Sequence, residues 1–115
     1  MLPLYLMRMV RKPAAKIFIS KELAERLEKL TPQHKIVRWI ADMKEALREN
    51  MYAGELIRKS QVPKQIIDKH GVNNLYRYGL PEGFRACYTI LNNCVYIIDV
   101  MSHAEYDKVF GYKTT

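Results

Sequence analysis

Residues 74–101 read NLYRYGLPEGFRACYTILNNCVYIIDVM, and this stretch decides the fold. Three runs rich in aromatic and β-branched residues, 74–80, 84–91 and 94–101, are separated by Pro81-Glu82-Gly83 and by Asn92-Asn93. The first separator is a turn, and the second is a two-residue hairpin loop, because Asn tolerates the positive φ that such loops need. With Asn92-Asn93 as the loop, Leu91 faces Cys94, Thr89 faces Tyr96, Cys87 faces Ile98 and Arg85 faces Val100. Side chains alternate along a strand, so Phe84, Ala86, Tyr88, Ile90, Val95, Ile97 and Met101 share one face. That face is the more apolar and is expected to cover helices. Arg85, Cys87, Thr89 and Tyr96 point the other way, onto an open basic face that Arg77 shares, near the end where His103 follows the last strand.

Outward from the hairpin, residues 15–19 (AKIFI) suit a short strand, and Ser20 suits the N-cap of a helix carrying Leu23, Leu27 and Leu30 on one stripe. Thr31-Pro32 is expected to end that helix and open the next, with Thr31 as cap and Pro32 at the first helical position. Ile36, Ile40, Met43 and Leu47 form one face of this second helix, with Trp39 beside them, to about Asn50 or Met51. Tyr52-Ala53-Gly54 is a break, and Leu56-Ile57 reads as a short turn of helix or a strap. Pro63 opens a short helix through Ile66 and Ile67, closed by Gly71, and Ser102 caps a last helix over 103–110. The sum is an α+β domain over 15–112, with a helical hairpin packed on an antiparallel sheet, and residues 1–14 as an N-terminal extension.

The chain has 115 residues, 49% hydrophobic and 27% charged, which is one folded domain's worth and too apolar for disorder. Nineteen Lys and Arg against twelve Asp and Glu give +7, and such a charge on a small surface points to a polyanionic partner or, more plainly, to solubility. Two cysteines exclude a disulfide scaffold and fit reduced thiols in a cytoplasm. No apolar run approaches the ~18–20 residues of a membrane span. The opening MLPLYLMRMVRKP carries its charges within and after its apolar part, unlike a signal peptide, and its Leu2, Leu4 and Leu6 have no obvious place in the core, which marks them for a protein interface.

Several chemistries are excluded by pattern. Cys87 and Cys94 lack zinc-ligand spacing, and His34, His70 and His103 fall on three separate elements, so no metal site is expected. Gly79 and Gly83 lack the Lys-Ser/Thr that completes a phosphate loop, and no nucleophile signature occurs. What remains is a cationic set, Lys59, Lys64, Lys69, Arg77, Arg85, His103 and Lys108, interleaved with Tyr76, Tyr78, Tyr96 and Tyr106. Cations neutralise phosphates and aromatic rings stack on bases, so the set suits nucleic acid as well as it suits a solvated surface.

The segment LYRYGLPEGFRACYTI, with Arg85 after Phe84 and Tyr88 three further on, together with VYIIDV and the terminal SHAEY, resembles the C-terminal half of the RelE/ParE toxin superfamily. The likeness is to archaeal RelE-like toxins of type II toxin–antitoxin systems, and KIFISKELAERLEKLTPQHK resembles their opening strand and helical hairpin. The resemblance implies a RelE-like fold and, in the RNA-cleaving branch, a ribosome-dependent endoribonuclease, an mRNA interferase that cuts messenger RNA in the ribosomal A site without metal or cofactor. It also implies a cognate antitoxin that wraps and silences the toxin. Arg85 matches the strand arginine that stabilises the scissile phosphate, Arg77 a basic position on the preceding strand, and His103 a position where some members carry a catalytic histidine. Tyr106 falls near the C-terminal tyrosine of the RelE type, and Lys64 near a catalytic Glu or basic residue of other members. Gly79 stands where the RelE type has a second strand lysine, and no carboxylate matches the general base of the YoeB type.

Each of these residues has a plainer reading. Arg85 can pair with Asp99 or Glu82, His103 can serve its helix start, Tyr106 can pack at helical spacing from Val109 and Phe110, and Lys59, Lys64 and Lys69 can be solvated. Two other functions share the fold: a ParE-type toxin that binds DNA gyrase without catalysis, and an inactive relative that binds only its antitoxin.

Overall fold

The computed structural model describes residues 11–111. In chain order the elements are β1 (Lys16–Ile19), α1 (Lys21–Glu28), α2 (Lys35–Glu49), β2 (Glu55–Leu56), α3 (Lys64–His70), β3 (Tyr76–Gly79), β4 (Arg85–Leu91), β5 (Cys94–Met101) and α4 (His103–Phe110). The five strands form one sheet in the order β1-β5-β4-β3-β2. β1 runs parallel to β5 and every other pair is antiparallel, so the sheet is mixed where a wholly antiparallel one was expected. The parallel pair is closed by Ser20, whose N–H donates to the Ile97 carbonyl at 2.9 Å and whose hydroxyl donates to the Ile98 carbonyl at 2.7 Å. The same hydroxyl oxygen accepts from the Leu23 N–H at 3.2 Å, the N-cap role read from the sequence.

α2 begins later than Thr31-Pro32 suggested. His34 is its N-cap, with Nδ1 accepting from the Ile36 N–H at 3.1 Å, while Thr31-Pro32 lies in the turn whose Thr31 carbonyl accepts from His34. An imidazole nitrogen thus replaces the hydroxyl cap, and Leu30 falls outside α1. Ile40, Met43 and Leu47 of α2 are buried with Leu23, Ala86, Tyr88, Val95, Ile97 and Val100 in the larger apolar cluster. Trp39 meets Phe84 at 5.5 Å between ring centres.

The hairpin loop has both Asn92 (φ 52°) and Asn93 (φ 63°) in the left-handed region, as the two-residue turn requires. Leu91 opposes Cys94 and Thr89 opposes Tyr96 as expected. Beyond that the register shifts: Tyr88 opposes Ile97 but Cys87 opposes Asp99, leaving Ile98 as the extra residue of a β-bulge. Arg85 therefore opposes Met101 and not Val100. Val100 turns into the larger cluster and Met101 to the other face, the reverse of the alternation expected for them.

That other face is not an open basic surface. Ile57, Ile66, Leu75, Cys87, Ile98, Met101 and Tyr106 form a second buried cluster there, closed by α3 and α4, with Val62, Val72, Val109 and Phe110 packed on it. The residues 56–57 strap proves to be a two-residue edge strand, β2, followed by buried Ile57. Gly54 permits it: a Cβ there would lie 2.7–2.8 Å from the Tyr88 ring, its hydroxyl and the Arg77 carbonyl. α3 and its Gly71 terminator (φ 63°) are as expected, and Ser102 caps α4 as expected, with Glu105 completing a capping box that was not expected. β3 is shorter than 74–80 because Asn74 pairs through its side chain, accepting from Thr89 Oγ1 and Ile90 N and donating to the Ile90 carbonyl.

Part of the N-terminal extension is attached to the domain. The Lys12 carbonyl accepts from the Met51 N–H at 2.7 Å, and Ala14 packs on the larger cluster. Leu2, Leu4 and Leu6 lie outside the described residues.

Candidate functional site

Arg85 is the first residue of β4, Met101 opposite it is the last of β5, and His103 starts α4 two residues later. This brings the Arg85 Nη1 to 2.9 Å from His103 Nδ1, and the same nitrogen donates to the Gly83 carbonyl at 3.1 Å. The turn before β4 makes this approach possible, with Glu82 (φ 60°) and Gly83 (φ 78°) in the left-handed region and Gly83 against the His103 Cβ. Tyr106, one turn along α4, is buried beneath them, its ring stacked on Phe110 at 4.1 Å. The Arg85 guanidinium carbon lies 4.9 Å from the Tyr106 ring centre, within cation–π range.

Arg77 reaches the same ring from β3. Its guanidinium carbon is 5.7 Å from the Tyr106 centre, and Nη1 donates to the Tyr106 hydroxyl at 3.1 Å. Nη2 donates to Glu55 Oε2 at 2.5 Å, which raises the Arg77 pKa further and holds the Glu55 carboxyl below its usual value. Arg85, His103, Arg77 and Tyr106 are thus brought together from three elements, two guanidiniums sharing one aromatic ring.

The two arginines differ in charge balance. Arg77 is paired with Glu55, whereas Arg85 forms no ion pair among the described residues. The carboxylates that the sequence offered to Arg85 go elsewhere: Asp99 binds Arg26 at 2.5 Å and Glu82 binds Lys35 at 2.8 Å. Beside Arg85, Gly79 is its β3 partner, and a Cβ there would meet nothing within 4 Å, so the approach along β3 is open.

The lysines stand apart. Lys69 is tied to Glu22 at 2.7 Å, joining α3 to α1, and this pair holds the Glu22 carboxyl below its usual value. Lys59, in a short 3-10 turn, and Lys64, first in α3, form no ion pair among the described residues. No hydrogen bond joins any of the three to the four clustered residues.

Two partners were missed in the sequence. His103 Nε2 lies 3.1 Å from Asp107 Oδ2, a pair whose i, i+4 spacing on one helix was a usable signal. Glu55 gave none, since its strand was not recognised. A groove of about 390 Å³ between β1, β5, β4 and the end of α3 and a cavity of about 260 Å³ between α3 and α4 are not lined by Arg85 or His103. Within the cluster His103 is exposed, Arg85 and Arg77 are half-buried and Tyr106 is buried. Among the described residues no three metal-ligating groups converge, and no helix is long and apolar enough to cross a membrane. No family model, curated protein or solved structure matches the chain.

Proposed function

We propose that this chain is the toxin of a toxin–antitoxin pair and cleaves messenger RNA at the ribosome, with Arg85 and His103 at the centre of its site. The observation that carries the reading is a guanidinium with no carboxylate partner among the described residues, hydrogen-bonded at 2.9 Å to an exposed imidazole. Arginine stays charged and offers paired donors to phosphate oxygens, while imidazole exchanges a proton near neutral pH.

In the reaction the substrate's 2′-hydroxyl attacks the adjacent phosphorus. The 2′-oxygen–phosphorus bond forms as the phosphorus–5′-oxygen bond breaks, leaving a 2′,3′-cyclic phosphate. His103 takes the 2′ proton, Arg85 moves from the imidazole to the phosphate and stabilises its added charge, and a solvent proton completes the 5′-hydroxyl. Tyr106 is buried, so its part is to seat both guanidiniums, and Arg77 acts through that ring while Glu55 holds it. Lys59 and Lys64 supply charge for the RNA backbone at a distance from the cut.

Primer extension on messenger RNA from cells expressing the chain, with and without translating ribosomes, tests the proposal. Arg85→Ala removes a charge-stabilising donor and should lower cleavage by roughly 10²–10³. His103→Ala should lower it by ~10²–10⁴. Neither side chain belongs to the two apolar clusters, so both variants should remain folded. Toxicity with intact messenger RNA would replace this reading with the gyrase-binding one, and no toxicity with antitoxin binding retained would replace it with the inactive relative.

A further inference from the structure

The two contacts of His103 specify one state of its ring. A guanidinium has only donors, so the Nδ1 that Arg85 Nη1 meets at 2.9 Å must present a lone pair. An ionised carboxylate only accepts, so the Nε2 that lies 3.1 Å from Asp107 Oδ2 must carry the proton. The Asp107 side chain is 20% exposed against 58% for His103, so the carboxylate is the fixed member of the pair. The further charged or protic groups of the cluster among the described residues are Tyr106, whose ring the Arg85 guanidinium covers at 4.9 Å, and Arg77, over the same ring at 5.7 Å.

We infer that Asp107 is a positioning residue that holds His103 in the Nε2–H tautomer, leaving the Nδ1 lone pair beside Arg85 as the basic atom. The tautomer assignment stands on these contacts alone, and its use in proton removal rests on the nuclease reading above. When Arg85 turns to a phosphate, Nδ1 is released in the form that accepts a proton, while Asp107 keeps the ring from rotating and stabilises the imidazolium that results.

Nitrogen-15 NMR of the full-length chain at pH above the histidine titration reads the ring directly. The expected result is a protonated, exchange-protected Nε2 and an unprotonated Nδ1 for His103. In Asp107→Ala the Nε2 proton signal should vanish into solvent exchange, and Asp107→Asn, which keeps an acceptor oxygen, should restore it. Cleavage should follow, with kcat falling by roughly ten- to a hundredfold in Asp107→Ala, less than the ~10²–10⁴ expected for loss of the base itself, and recovering in Asp107→Asn. A protonated Nδ1 in the native chain, or a ring spectrum unchanged in folded Asp107→Ala, overturns the inference. Expected spectra combined with Arg85→Ala and His103→Ala variants that cut as the native chain does would sustain the Asp107–His103 pair and overturn the nuclease reading instead.

Discussion

Replacing Tyr88 by Phe removes one oxygen from the middle of the protein and should cost more than its size suggests. Tyr88 is fully buried, and its hydroxyl donates to the Met51 carbonyl at 2.8 Å while accepting from the Gly54 N–H at 2.9 Å. Phe keeps the ring and its stack on Tyr76 but leaves both backbone groups without that partner. Each buried polar group left unpaired costs about 1–3 kcal/mol, so the loss for two is roughly 2–4 kcal/mol once part of it is relieved by water. At about 4 °C per kcal/mol for a domain near this size, Tm should fall by roughly 8–16 °C, with the urea m-value unchanged. The phenol also sets an alkaline limit. Burial raises the Tyr88 pKa above its ordinary value of 10.0, so the folded state favours the protonated phenol. Its stability is fully present below pH 10.0 and is lost as pH rises from there through the folded-state pKa. Urea titrations at neutral pH and above pH 10 should show the native chain losing stability over that range and the Phe variant losing less. A Tm within about 2 °C of the native value would refute the view that this hydroxyl holds residues 51–54 in place.

The capping box of α4 predicts an acid-side effect of opposite sign. Hydrogen bonds from Ser102 hold the Glu105 pKa below 4.5, so its contribution is present above that pH and lost as pH falls through the folded-state value. Ser102→Ala should cost about 1 kcal/mol at neutral pH, and the stability gap of Glu105→Gln should shrink below pH ~4 in urea titrations. Burial, with Asp99 adding to it, pushes the Cys87 thiol up to about 12, while Cys94 is only half-buried. Iodoacetamide at pH 8 should therefore modify Cys94 alone in the native chain and both thiols in denaturant, as counted by mass spectrometry. Binding to RNA or ribosomes should weaken steeply with salt, given the net charge of +7 and Lys59 and Lys64, which form no ion pair among the described residues. An affinity flat between low and high salt in filter binding would contradict it.

The parts of this fold that were legible are those fixed by local chemistry. Asn92-Asn93, Ser20, Gly71 and Ser102 each perform in the structure the turn or cap that their side chains favour. The parts that were not legible depend on partners far along the chain. β2 exists because Gly54 fits against Tyr88 and Arg77, and two residues with no periodicity announce nothing of it. His34 outcompeted Thr31-Pro32 through a ring nitrogen, and imidazole is not among the usual caps. The parallel partner of β1 could not be told from an antiparallel one, since a four-residue edge run such as KIFI, exposed and half-buried by turns, has the same composition in either.

The bulge at Ile98 shows how one hidden residue shapes the candidate site. Strict period two through CVYIIDVM would set Asp99 in the apolar row of Val95, Ile97 and Met101, and that one misplaced carboxylate is the sequence's mark of a residue dropping out of the pairing. Its effect is to draw Met101 into opposition with Arg85, so that α4 starts two residues from that position and lays Tyr106 under the same face. The bulge also advances Asp99 to oppose Cys87, and Asp99 is taken by Arg26 of α1. The carboxylate nearest in sequence to the end of β5 is thereby spent on holding α1 to the sheet, and among the described residues Arg85 meets an imidazole in place of a counterion. Among the described residues that guanidinium meets a carbonyl, an imidazole and an aromatic ring but no carboxylate, so an anion binding there would have no carboxylate to displace. Arg77, held by Glu55, lacks that freedom, and the difference separates two arginines that the sequence placed on one face.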